Sequence, residues 1–209
     1  MGDEFHAQVE EYLRGLGRAS DGLLLEMKER ARAKEDPLPI IPLATARLLS
    51  FLVAAIRAER ILEIGTAIGY STIWLARAAQ RHGGHVTTIE ISERLAEEAQ
   101  ENIERAGLME AVTILIGDAE RIVPRLTDPF DLIFQDGAKR LYPRLLSDCL
   151  RLLRKGGLLV ADDALFPVTE VGEAWAEAVH RYNEMIFARH DLESVILPVG
   201  DGVAVSLKR

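Results

Sequence analysis

In RILEIGTAIGYSTIWLARAAQRH, residues 60 to 82, a short apolar run gives way to a turn bracketed by Gly65 and Gly69, and the turn to a longer helical pattern. The run has the length of a buried strand, and glycine permits the tight turn and close backbone approach that a strand-to-helix junction requires. The unit recurs down the chain. HVTTIEI is followed by SERLAEEAQENIERAGL, FDLIFQD by YPRLLSDCLRLLRKGG, and GLLVADD by a helical stretch from near Glu170 to Arg189, with the strand VTILIG between the second and third units. Such alternation predicts a parallel sheet with helices on both faces, an α/β fold. Ser92 is placed to cap the helix after the second strand, Gly107 to close it, and Gly156 with Gly157 to stop the helix that precedes GLLVADD.

The two ends of the chain read differently. SVILPV and VAVSLKR are joined by GDG, a turn of the kind that links antiparallel strands, so the chain is expected to end in a hairpin. Ahead of Glu59 the pattern is helical over Glu4 to Gly15, Asp21 to Ala33 and from after Pro42 to Ile56, with PLPIIP as an irregular break. With 209 residues and no repeat or low-complexity linker, one domain over 1–209 is expected, residues 1–58 forming a helical cap and 59–209 the α/β core.

Hydrophobic residues make up 48% and charged residues 28% of the chain, the balance of a packed protein rather than a disordered or fibrous one. The formal net charge of −8 argues against an affinity built on neutralising phosphates, while leaving room for a local basic patch. The start, MGDEFHAQVEEYLRG, is acidic and amphipathic, and no apolar run approaches the ~20 residues of a membrane span, so a cytoplasmic protein without signal peptide or anchor is expected. Cys149, the single cysteine, falls in a helical pattern and reads as a small core residue, and the histidines lack zinc-ligand spacing.

In open parallel sheets, ligands bind beyond the carboxyl ends of the strands. EIGTAIGYS, residues 63 to 71, is not the GxGxxG of a dinucleotide site, because the second glycine is displaced and Glu63 stands just before the turn. That counts against an NAD-dependent oxidoreductase. Glu90, after the second strand, can accept from both hydroxyls of a ribose, and Asp118, after VTILIG, can receive the amino group of an adenine. These residues describe a nucleoside-shaped cleft. Tyr70 and Tyr142 are open to reading as substrate-facing aromatics, whereas Trp74 falls in an apolar helical pattern and reads as core.

From about Pro39 to the C-terminus the chain resembles the metal-dependent class I S-adenosylmethionine O-methyltransferases, the group that contains catechol and caffeoyl-CoA O-methyltransferases. LEIGTAIGYS, TTIEIS, GDA, FDLIFQDGAKRLY, GGLLVADDAL and LPVGDGVAV carry the resemblance. It implies a Rossmann-like class I methyltransferase sheet and a bound S-adenosylmethionine. Glu63, Gly65, Thr66 and Ser71 would hold the amino-acid end and backbone of that cofactor, with Ile41 covering it, Glu90 at the ribose and Asp118 with Ala119 at the adenine. Asp136, which also borders the cofactor, matches a metal ligand together with Asp162 and Asp163, and Lys139 matches the catalytic lysine. Relatives commonly read D-A-D-K where this chain has Asp136-Gly137-Ala138-Lys139, commonly carry Asn at the position of Asp163, and usually have a tryptophan just after the acidic pair, where ALFPVTEVGEAW has none before its last residue.

In the expected sheet FDLIFQD and GLLVADD are neighbours, which puts Asp136 and Asp162 ~5 Å apart. Three acids this close must protonate or bind a cation, and all-oxygen ligation suits Mg²⁺, with Mn²⁺ or Ca²⁺ able to compete. An isolated Asp-Asp pair also has a plainer use, one side chain capping the next helix and the other facing solvent. The reaction expected is methyl transfer to a hydroxyl of a small catechol-like or vicinal-diol acceptor. A tRNA hydroxyuridine methyltransferase and a non-catalytic nucleoside- or metal-binding module are the alternatives, nucleic acid being disfavoured by the acidic charge. The helices before Glu59 are expected to cover the site or to form a homodimer contact.

Overall fold

Residues 3–16, 22–169 and 171–209 are described by the structure, a computed structural model. The strands β1 (Arg60–Ile64), β2 (His85–Glu90), β3 (Val112–Ile116), β4 (Phe130–Gln135), β5 (Leu153–Ala161), β6 (Leu192–Leu197) and β7 (Val203–Lys208) form one sheet in the order β3-β2-β1-β4-β5-β7-β6. The first five strands run parallel, and β7 lies antiparallel between β5 and β6. The order reverses between β1 and β4, and this crevice at the carboxyl edge is where open α/β sheets bind ligands.

Successive strand residues point to opposite faces, so a central strand buried on both sides must be apolar throughout. β1 follows that rule at Ile61, Leu62 and Ile64, while Glu63 is a buried acid among them. Ile61 joins Val86, Leu132, Phe134 and Val160 against one layer of helices, α2 (Gly22–Arg32), α3 (Leu43–Ile56), α4 (Tyr70–Gln80) and α5 (Glu93–Arg105). Leu62 and Ile64 join Ile133 and Leu159 against the other layer, where α7 (Leu141–Leu152) and α8 (Glu173–Phe187) bury Leu145, Leu146, Tyr182 and Ile186. Cys149 is among the buried residues of α7, as its setting suggested. Trp74 is half-buried against the first layer, in line with its core reading. A further helix, α1 (Asp3–Leu16), precedes these, and none of the described helices is long and apolar enough to cross a membrane.

Several boundaries follow the capping chemistry. Ser92 Oγ accepts the Leu95 N–H at 3.4 Å at the start of α5. At its end Gly107 adopts φ +70°, which lets the Leu108 N–H return to the Ile103 carbonyl at 3.0 Å. One expectation is corrected. Gly156 and Gly157 do not stop α7, which ends at Leu152; they lie inside β5, where the register with β4 shifts between Phe130 and Leu132. A Cβ on Gly157 would stand 2.8 Å from the Asp131 carbonyl oxygen, so the glycine serves close strand approach at a bulge. Asp21 and Glu170, expected at or near helix starts, lie outside the described residues; α2 is described from Gly22 and α8 begins at Glu173.

Candidate active site

The sheet order lays the polar strand ends out in a row. Asp118 follows β3, Glu90 ends β2, Gly65 follows β1, Asp136 follows β4, Asp162 follows β5, and Asp201 stands in the turn before β7. With ~4.8 Å between strands, the row from Glu90 to Asp162 spans about 14 Å, long enough for a nucleoside at one end and a second reactant at the other. A cavity of about 510 Å³ opens along it. Ile41, Gly65, Thr66, Ser71, Glu90, Asp118, Ala119, Asp136, Lys139, Asp162 and Asp163 all contribute to its wall. Residues 38–42, the irregular break before α3, close one side.

The glycine turn sets the distance between the two halves. Gly65 has φ +105°, and a Cβ there would lie 2.7 Å from the carbonyl carbon of Asp136 and the nitrogen of Gly137. Only glycine lets the β1 turn abut the end of β4 this closely. The Ala67 N–H in the same turn donates to Glu90 Oε2 at 2.8 Å, and the Ser92 N–H to Glu90 Oε1 at 3.0 Å. Both oxygens are thereby oriented, and each retains accepting capacity toward the cavity. Asp118 caps the short helix α6 (Ala119–Ile122) through Oδ1, which accepts the Glu120 N–H at 2.9 Å.

Glu63 stands apart from this wall. Its carboxyl is buried behind the turn, where Oε2 accepts the hydroxyls of Thr72 at 2.5 Å and Thr88 at 2.7 Å, while Oε1 is buried without a hydrogen-bond partner among the described residues. Burial raises its pKa to about 7, against the opposing effect of the hydroxyls of Ser71, Thr72 and Thr88.

Asp136, Asp162 and Asp163 each present a carboxylate oxygen, all within 4.8 Å of one another. Neither member of the Asp162-Asp163 pair is a solvent-facing residue. Asp162 is 3% exposed and its Oδ1 has no partner among the described residues. Asp163 takes a left-handed conformation, φ 59°, which Asp tolerates because its short side chain bonds locally, and the carboxylate turns inward to Lys139. Burial drives all three acids upward, Asp136 to about 6 and Asp162 well above the usual carboxylate range; repulsion within the cluster adds to this for Asp136 and Asp162, repulsion from Asp201 for Asp163, and Lys139 opposes it.

Lys139 is itself buried, 8% exposed, with Nζ 2.5 Å from Asp163 Oδ2, 3.3 Å from Asp136 Oδ1 and 2.8 Å from the Tyr142 hydroxyl oxygen. Burial pulls its pKa down, but the groups around it, Asp136 and Asp163 among them, outweigh that and hold it above the ordinary lysine value. One ammonium faces three carboxyls, of which Asp162 is buried and keeps an orphaned oxygen while Asp136 and Asp163 are part-buried. The donor set is all oxygen, and it fits a hard divalent cation. Tyr142 lies beneath the lysine at 1% exposure rather than facing a substrate, whereas Tyr70 reaches the cavity wall.

Sequence reasoning passed over the far end of the cavity. Phe166 and Trp175 line it with rings nearly parallel, 8° apart with centroids 6.2 Å apart, and Trp175 remains 57% exposed at the rim. Trp175 comes from α8, so an aromatic group reaches this end from a later element than the segment just after the acidic pair. Asp201 reaches the same end because β7 pairs antiparallel with β5, Ala161 opposite Ala204, returning the hairpin turn to the acids.

The family model described as O-methyltransferase matches residues 18–209. The chain is 35% identical to a catechol O-methyltransferase of Niastella koreensis, over 99% of both chains, and 36% identical to a catechol O-methyltransferase of Mycobacterium tuberculosis, over 85% of this chain and 84% of that one. Among solved structures it is similar to the O-methyltransferase TomG of Streptomyces achromogenes, determined in complex with SAM, with a TM-score of 0.85, 31% identity and coverage of 100% and 99% of the two chains. The turn, the strand-end acids and these likenesses agree: the chain belongs to the O-methyltransferase family, the class I enzymes that take their methyl group from S-adenosylmethionine.

Proposed function

We propose that the protein transfers a methyl group to one hydroxyl of a small acceptor carrying neighbouring oxygens, of the catechol type, with a divalent cation held by Asp136, Asp162 and Asp163. The observation that carries the reading is the cluster of three acids, Asp162 buried and Asp136 and Asp163 part-buried, with the orphaned Oδ1 of Asp162. The names of the relatives from Niastella koreensis and Mycobacterium tuberculosis support the acceptor class.

In this reading the Glu90 and Asp118 end of the cavity receives the nucleoside, with Gly65, Thr66 and Ser71 at the turn and Ile41 above it. Glu63 acts from behind the turn, orienting Thr72 and Thr88. Phe166 and Trp175 offer a flat apolar wall for an aromatic acceptor. A bound divalent cation supplies Lewis acidity, lowering the pKa of an acceptor hydroxyl. Lys139 Nζ takes the hydroxyl proton, which requires that the charge of Asp136 and Asp163 be otherwise balanced, since together they favour the ammonium. The acceptor oxygen then forms its bond to the methyl carbon as the carbon–sulfur bond breaks, and the opposite charges cancel in a site screened from water. A homodimer and a cytoplasmic location belong to the same reading; Phe51 of α3, 67% exposed, is one apolar residue free to serve a contact between copies.

The test is a mass-spectrometric screen of catechols, hydroxycinnamoyl derivatives and monophenols with S-adenosylmethionine, with Mg²⁺ and with EDTA. A single added methyl on the vicinal diols, lost in EDTA, is expected. Equal turnover of monophenols in EDTA would remove the metal-chelation reading.

A further inference from the structure

We propose that Tyr142 is the positioning residue that aims Lys139 at the acceptor, an inference that rests on Lys139 being the base. Tyr142 stands in the first turn of α7, fully buried, with its ring edge-on to Tyr182 at a centroid distance of 5.4 Å. Packing therefore leaves its hydroxyl one direction. Its oxygen lies 3.0 Å from the Gln135 carbonyl oxygen and 2.8 Å from Lys139 Nζ.

The polarity of this chain of contacts is determined. The ammonium of Lys139 can only donate and the Gln135 carbonyl only accept, so beside the charged lysine the single hydroxyl hydrogen of Tyr142 points to Gln135 and the tyrosine oxygen accepts from Nζ. One N–H of Lys139 is thus directed downward, and with the Tyr142 hydrogen remaining aimed at Gln135 that N–H stays in place when the nitrogen gives up a proton. The Tyr142 ring lies on the same side, its centroid 4.9 Å from Nζ. Asp136 and Asp163 also hold the nitrogen, but both belong to the acid cluster and have a second demand on their oxygens. Tyr142 has no competing partner of that kind. When the acceptor O–H bond breaks, its electron pair stays on oxygen and the proton bonds to the lone pair of Nζ; Tyr142 decides which side of the nitrogen presents that lone pair.

Removing the hydroxyl is mild structurally. The Gln135 carbonyl also accepts the Asp162 N–H at 3.1 Å, so it keeps a partner in Tyr142→Phe, and the ring keeps its shape. The experiment uses the full chain with S-adenosylmethionine, Mg²⁺ and catechol, comparing Tyr142→Phe, Lys139→Ala and the double variant. Expected is about a tenfold fall in kcat for Tyr142→Phe, a part of the ~10²- to 10⁴-fold that a general acid–base group supplies, with both KM values and the melting temperature close to wild type. In the Lys139→Ala background the second change is expected to cost nothing more, because the two groups act as a unit. An unchanged kcat in Tyr142→Phe beside an impaired Lys139→Ala overturns this inference alone, as does an additive loss in the double variant or a loss confined to KM and melting temperature. A wild-type kcat in Lys139→Ala removes the base assignment itself, and this inference with it.

Discussion

Lys139 Nζ and Asp163 Oδ2 are 2.5 Å apart, with side-chain exposures of 9% and 17%, so the acid that stands where an asparagine is common binds the lysine directly. An amide at this position would keep the geometry and remove the charge. Asp163→Asn is expected to weaken Mg²⁺ binding by about an order of magnitude, since the charge count of the ligands sets affinity for hard cations. Calorimetric titration of Mg²⁺ into both proteins checks this; equal affinities would show that Asp163 serves the lysine alone.

Glu63 gives a pH dependence with a definite sign. Its pKa is raised from 4.5 to about 7, so between those values the folded chain holds a proton that the unfolded chain has lost. The folded state binds more protons there, and the contribution of this group to stability falls as pH rises through the window. The shift corresponds to about 3 kcal/mol. Glu63→Gln cannot ionise, so its stability relative to wild type is expected to climb by about that amount from pH 4.5 to 7 and to level off above, read by urea denaturation across pH. A difference independent of pH would mean that Glu63 is ionised in the folded chain.

Trp175, stacked beside Phe166 and open at the rim, is placed to lie against an aromatic acceptor. Trp175→Ala is expected to raise the acceptor KM about tenfold, in keeping with the loss of one large aromatic contact, while leaving the KM for S-adenosylmethionine unchanged. In a Trp74→Phe background Trp175 is the only remaining tryptophan, and its fluorescence is expected to change on addition of catechol. No change in either readout would place the acceptor elsewhere.

The sheet and the acid cluster were legible because they rest on local chemistry. Apolar runs ending in Glu90, Asp136 and Asp162, and caps such as Ser92 and Gly107, each show their role within a few residues. Other features depend on register and depth. Gly157 resembles a helix stop until β4 is seen at van der Waals contact beside it. Tyr142 resembles a substrate contact until its hydroxyl is found under Lys139, and Glu63 faces away from the cavity because side chains alternate along β1. Asp201 and Trp175 reach the site from elements distant in sequence, through the antiparallel return of β7 and the placement of α8. No spacing rule over short windows reveals those meetings.

The nucleoside end and the acid end are expected to fail independently. Glu90→Ala should weaken binding of S-adenosylmethionine about tenfold or more, because its two oxygens face the cavity with hydrogen bonds to spare, whereas Asp162→Ala should leave that affinity nearly unchanged and abolish Mg²⁺-dependent turnover. Calorimetry with S-adenosylmethionine and steady-state kinetics on each variant separate the two. A loss of cofactor affinity in Asp162→Ala equal to that in Glu90→Ala would join the two ends into one site.

The account turns on a cation at Asp136, Asp162 and Asp163, and titrating Mg²⁺ and Mn²⁺ into the purified protein with and without Asp162→Ala measures it directly. The prediction is one site per chain in the wild type, weakening as pH falls through about 6 where Asp136 takes up its proton, and no site in the variant. Uptake of neither ion by the wild type, or identical uptake by Asp162→Ala, would contradict it.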